Sequence, residues 1–179
     1  RSIWVTGVQT CALPIYQEYA DKRIPWLLKT PAAVRFLSCE PLIGPLDLRK
    51  WLRGNCESCG APCRGHGYHV GASDHFACGY EIGNGARHPS LDWNIVGGES
   101  GTDARPFHTD WARSIIAQCK AAGVSCFIKQ LGADPFYEYE VGTAKGGCPR
   151  SLTLKSKNGG DMSEWPSDLR VRKFPEVPA

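Results

Sequence analysis

Apolar residues fall into a few short runs, and three of these runs turn polar at their C-terminal ends. Residues 34–37 lead into Ser38, Cys39 and Glu40. Residues 93–96 lead into Gly97, Gly98 and Glu99, and residues 126–128 into Lys129 and Gln130. Runs of this length and composition read as buried strands. Between the second and third, Trp111, Ile115, Ile116 and Cys119 recur at the spacing of one helix face, which predicts a helix over 108–122. Thr109 is its expected N-cap, Asp110 suits its first turn, and Gly123 suits its C-terminal cap. Strand, helix and strand at this spacing predict a βαβ unit with parallel strands and a right-handed crossover.

Earlier in the chain, Tyr19, Ile24, Leu27 and Leu28 among charges predict a short helix over 18–29, interrupted by Pro25 and closed by Pro31. Two prolines and a glycine make 41–45 a loop. The tail from Gly132 is loop-rich, with a short strand, a polar turn and a closing segment packed by Trp165, Leu169, Val171 and Phe174.

Two stretches break the pattern. Residues 49–89 hold eight glycines, four cysteines and four histidines with almost no aliphatic side chains. Such a segment cannot build a core alone and reads as an insertion. The first fifteen residues form no convincing element. VTGVQTCALPI resembles a translated sequencing adapter, so residues 1–16 are set aside from fold reasoning, as a tag would be. A natural strand over 3–8 is the other reading, and under the first the protein continues upstream.

Composition narrows the class. The chain has 179 residues, enough for one domain, and 42% hydrophobic with 22% charged residues is the balance of a globular protein. A net charge of +3 argues neither for nucleic acid nor for a membrane surface. No apolar run approaches the roughly 18 residues that cross a bilayer, and a cytoplasmic protein is expected. Nine cysteines are many, and four lie between positions 56 and 78. Without a visible signal peptide, that clustering suits a metal site in a reducing compartment better than a disulfide framework.

Cys56-Glu-Ser-Cys59-Gly has the form of a zinc knuckle, and His75-Phe-Ala-Cys78-Gly repeats it with histidine in the first position. The C-x2-C-x15-H-x2-C spacing lies in the range of zinc ribbons, and a Cys3His set is ordinary for tetrahedral zinc. Cys63 is an alternative to His75, while His66 and His69 are weaker candidates. Four ligands leave no open position, so a structural zinc is expected; bound metal would give shape to a segment poor in aliphatics. A loop with unligated thiols is the competing reading.

Functional groups collect at the carboxyl ends of parallel strands. Glu40, Glu99, Lys129 and Gln130 all fall there, Arg105 follows closely, and Gly97 and Gly98 permit close backbone approach. These residues suit either a site for a zwitterionic ligand or an internal network of ion pairs. Cys39 is a candidate nucleophile, although no histidine is placed to activate it, and a buried structural thiol is the simpler reading. Cys119 and Cys126 read as core, and His108 as capping or exposed.

ADKRIPWLLKTPAAVRFLSCEPLIGPLDL, DWNIVGGESGTDARPFHTDWARSIIAQCKAAGVSCFIKQLG and GGDMSEWPSDLRVRKFPEV together resemble the phage Gp thirty-seven / Gp sixty-eight family, a domain of unknown function. Members often carry a cysteine-rich insertion where 49–89 lies, and His75 departs from their usual cysteine pair. The resemblance implies a radical-SAM-type α/β barrel whose upstream three-cysteine motif holds a [4Fe–4S] cluster, with S-adenosylmethionine as co-substrate. That motif is absent here. The Gly-Gly-Glu of radical-SAM enzymes that touches the methionine amino group sits early in those barrels, whereas Gly97–Gly98–Glu99 sits late, so that role is not carried over.

The expected fold class is therefore α/β: the C-terminal half of a parallel (β/α) barrel, over 17–48 and 90–179, with a small zinc-ribbon-like insertion over 49–89. The chain is expected to be a fragment of a radical-SAM-like phage protein of unknown substrate, inactive alone and exposing unpaired sheet edges. The competing function is a binding module without catalysis, in which Arg49, Arg53, Arg64 and Arg87 on the ribbon contact nucleic acid or protein.

Overall fold

The computed structural model describes residues 9–52, 63–64, 68–69, 90–139 and 148–175. Its centre is a four-stranded, all-parallel sheet in the order β1 (Gln9–Ala12), β2 (Val34–Cys39), β5 (Trp93–Gly97) and β7 (Ser125–Gln130). Two of the crossovers are helical, α1 (Gln17–Lys29) between β1 and β2 and α2 (Thr109–Ala122) between β5 and β7. Neighbours in the sheet follow one another in the sequence without a reversal. A doubly wound sheet reverses at its switch point, whereas an arc of a (β/α) barrel does not.

The alternation along each strand sorts side chains onto two faces. On one face, Leu37, Asn94 and Cys126 form a row across the sheet, followed by Cys39, Val96 and Ile128. This face is sealed by one continuous core that includes Ile24, Leu27 and Leu28 of α1 and Ala112, Ile115 and Cys119 of α2. Fully burying each leucine and isoleucine among them contributes about 1.5–3 kcal/mol. The other face carries Phe36, Trp93, Ile95 and Phe127, each only half-buried, and Phe174 packs on Trp93 and Phe127 although 67% exposed.

Beyond the central sheet, β6 (Phe107–His108) pairs parallel with β8 (Pro135–Tyr139), which pairs antiparallel with β9 (Cys148–Ser151). The backbones of β3 (Cys63–Arg64) and β4 (Tyr68–His69) pair antiparallel, with Cys63 opposite His69.

Several expectations change. Gln9–Ala12, in a stretch expected to form no element, is the edge strand β1. Helix α1 runs through Pro25 without interruption. Pro25 removes the bond to the carbonyl of Asp21, an exposed residue, while Ile24, Leu27 and Leu28 anchor the turns around it. Arg49–Trp51 is a 3-10 turn, and Trp51 and Leu52 lie in the core, with Leu52 bridging to Leu91. The core therefore extends into the segment assigned to the insertion by composition.

The N-cap of α2 is His108 rather than Thr109: its Nδ1 accepts a hydrogen bond from the Asp110 backbone at 3.2 Å. Thr109 is buried, and its hydroxyl accepts a hydrogen bond from Arg113. Gly123 closes the helix in the left-handed region, φ 64°.

The sheet is also less open than expected. The Ile128 N–H donates to Val171 O and the Lys173 N–H to Cys126 O, so the closing segment lies antiparallel along β7. Among the described residues, only the β1 side of this sheet lacks a neighbour.

Candidate functional site

The carboxyl ends of β2, β5 and β7 come together through a register shift. Val96 pairs with Ile128, but Gly97 pairs with Gln130, leaving Lys129 as the additional residue of a bulge. Bulges re-aim side chains and recur beside functional sites. Here Lys129 is directed back over the central strand, where its ammonium meets Glu40 Oε2 at 3.1 Å.

Glu40 belongs to the end of β2 and Lys129 to β7, so this ion pair spans the end of β5. Gly97 makes that possible, since a Cβ there would lie 2.4 Å from Glu40 Oε1. The Glu40 side chain is 17% exposed and that of Lys129 56%. Ser38 Oγ stands 3.4 Å from the same carboxylate oxygen. Glu40 Oε1, covered by Gly97, has no hydrogen-bond partner among the described residues. A buried acceptor left unpaired costs about 1–3 kcal/mol, and folding alone gives no reason to keep it.

The other candidates form a separate layer. Gln130 Nε2 donates to Gly98 O at 2.9 Å, and the Gly98 N–H donates to Gln130 O. Gly98 lies against the next loop, where a Cβ would meet Leu131 O at 2.4 Å. Glu99 turns outward and takes a bidentate pair of bonds from Arg105 at 2.7 and 3.1 Å, with a third from the Arg105 backbone. The Arg105 hydrogen bonds hold the Glu99 carboxyl below its ordinary range. The seven strand-end residues thus divide into a Glu40–Gly97–Lys129 bridge, a Gly98–Gln130 clamp and an exposed Glu99–Arg105 pair.

Cys39 is fully buried, and that burial pushes its thiol far up, which removes it as a nucleophile in this state. His108 stacks on Trp111 and meets Phe136 edge-on, as a cap held in the core. Cys56, Cys59, His66, His75 and Cys78 lie outside the described residues, as do the side chains of Cys63 and His69. Among the described residues, no three histidine, cysteine or carboxylate side chains are grouped to hold a metal ion.

Two residues, one at the bulge and one towards the other end of β5, escaped the sequence reading. Arg172 donates to the carbonyls of Ile128 and Lys129 and lies over the rings of Phe127 and Trp165, fixing the backbone at the bulge. Asn94 is a fully buried amide in the middle of an apolar strand. Only Asn94 gave a signal, as a polar residue at a core-facing position of the alternation; Arg172 acts through a contact more than forty positions away.

Among the described residues, no helix is long and apolar enough to cross a membrane. No curated protein and no solved structure matches the chain. The family described as "Protein of unknown function (DUF5131)" matches residues 6–158, most of the sequence, and the chain belongs to that family.

Proposed function

We propose that this chain forms an arc of a radical-SAM-type (β/α) barrel in a phage-type protein, and that the Glu40–Lys129 bridge contacts the substrate. The observation that carries the reading is this bridge, set at the carboxyl ends of sequentially ordered parallel strands and holding a covered carboxylate oxygen with no partner among the described residues. Ligands of such sheets bind at that end. A substrate offering an N–H or O–H to the carboxylate and an acceptor to Lys129 matches both charges.

The residues that would hold an iron–sulfur cluster are not among those described. Cys39, Cys119 and Cys126 are buried against the helices, and Cys11 is exposed on β1. What the chain itself supplies is an ammonium and a carboxylate fixed across Gly97, which orient a polar group and screen it from water on one side.

The test restores the upstream sequence and reconstitutes the longer protein with iron and sulfide without oxygen. Cluster absorption and reductive cleavage of S-adenosylmethionine are expected, with substrate turnover falling in Glu40→Gln while the cluster spectrum stays unchanged. Absence of both cluster and cleavage overturns the enzyme reading and leaves a binding module.

The proposal includes a structural zinc on Cys56, Cys59, His75 and Cys78, supported by their spacing and donor chemistry. Metal analysis of the full chain should find about one zinc per chain, lost in Cys56→Ser. A metal-free protein of unchanged fold sinks it.

A further inference from the structure

At the opposite, N-terminal end of the strands, a half-open cavity of about 830 Å³ lies between α2, β7 and the closing segment. Ile116, Val124, Val171 and Phe174 line it, and so do Cys119 and Cys126. These cysteines come from different elements and meet over one position of the sheet. Cys126 is the register partner of Asn94, and the Asn94 amide donates to Cys119 Sγ at 3.2 Å. Asn94 thus touches Cys119 directly and stands beside Cys126 in the sheet. Asn94 Oδ1 has no partner among the described residues although it is buried, so the amide is held for its donor. Both residues are almost fully buried, 1% and 3% exposed, and the cavity is their route to solvent.

We propose that Cys119 and Cys126 are a redox-active thiol pair, and that the cavity admits a low-molecular-weight disulfide that converts them to a reversible disulfide.

The roles of the two sulfurs follow from the amide of Asn94, which donates to Cys119 and so favours its thiolate. The interaction with Cys126, then the Asn94 bond, hold the Cys119 thiol below its ordinary value against the opposing effect of burial. The interaction with Cys119 and burial push Cys126 up. Cys119 is therefore the attacking thiolate and Cys126 the resolving thiol. The Cys119 thiolate attacks one sulfur of the small disulfide, a mixed disulfide forms, and the first small thiolate leaves and is protonated. Cys126 then gives up its proton, attacks the Cys119 sulfur and expels the second small thiolate. The protein loses two electrons and two protons, and the small disulfide gains them as two thiols. Asn94 positions Cys119 and donates to its thiolate without exchanging a bond.

Trypsin cuts at Lys120, between the two cysteines, so peptides 114–120 and 121–129 separate unless the disulfide joins them. The full reduced chain is incubated with oxidised glutathione, quenched in acid, alkylated and digested. The joined peptide pair is expected, lighter than the sum of its parts by two hydrogens and lost on treatment with dithiothreitol. In Cys126→Ser, glutathione should remain on Cys119. The wild-type chain suffices if that variant fails to fold. The proposal is overturned if exposed Cys11 takes up glutathione while Cys119 and Cys126 are both recovered alkylated. It is equally overturned if glutathione stays on wild-type Cys119 without a bridge, or if Cys39 is the partner found.

Discussion

Gly97 and Gly98 are neighbours that exclude a side chain for different reasons. A methyl group at 97 meets the carboxylate of Glu40, the movable end of a side chain, whereas one at 98 meets the carbonyl of Leu131, which is backbone. Gly98→Ala should therefore destabilise the protein by about 1–3 kcal/mol. Gly97→Ala should cost less and lose most of its effect in a Glu40→Ser background, whereas Gly98→Ala should not, and urea unfolding of the double-mutant cycle measures both. A second expectation concerns Asp168, whose carboxyl the hydrogen bond from Arg113 holds below its ordinary value. A lowered folded-state value adds stability above the unfolded-state value, and this is lost as pH falls through the folded one. Asp168→Asn should cost about 0.5 kcal/mol at neutral pH, as the pair is half exposed, and nothing once the carboxylate is protonated. Glu40 and Lys129 were legible in the sequence because each ends a strand run. Their pairing was not, since it depends on a bulge that nothing in the 125–130 stretch announces.

At the scale of elements, β2, β5 and β7 were legible as short apolar runs that turn polar at their ends, and α2 through its period of 3.6. Helix α1 was legible except at Pro25, where buried neighbours on both sides outweigh one lost bond. Pro25→Ala restores an N–H opposite the Asp21 carbonyl and should raise stability by about 1–3 kcal/mol, read from the thermal midpoint. An unchanged or lower midpoint would mean that the ring's own packing compensates for the bond. The His108 cap was half legible: a capping role was open to it, but capping scales favour threonine at the N-cap, and Thr109 is instead drawn into the core and bonded to Arg113. The antiparallel strip at 171–173 was hidden for another reason: it is too short for any periodicity to register, and it exists only through its contacts with β7.

For the whole molecule, protection should follow the number of neighbours each strand has. Amide hydrogen exchange is expected to be slowest in β2, β5 and β7, which are bonded on both sides, and fastest in β1, bonded on one. Ending the chain at Arg170 should release the Ile128 amide to rapid exchange, and continued protection would show that the strip contributes nothing. The strip has a further consequence. With β7 covered, the described residues leave this sheet a single open side, so a strand added to it joins beside β1. Two copies of this sheet meeting β1 to β1 would each present a covered strand outward and offer no place for a third. Association of the described residues through this sheet would be self-limiting, ending in pairs rather than propagating into fibres.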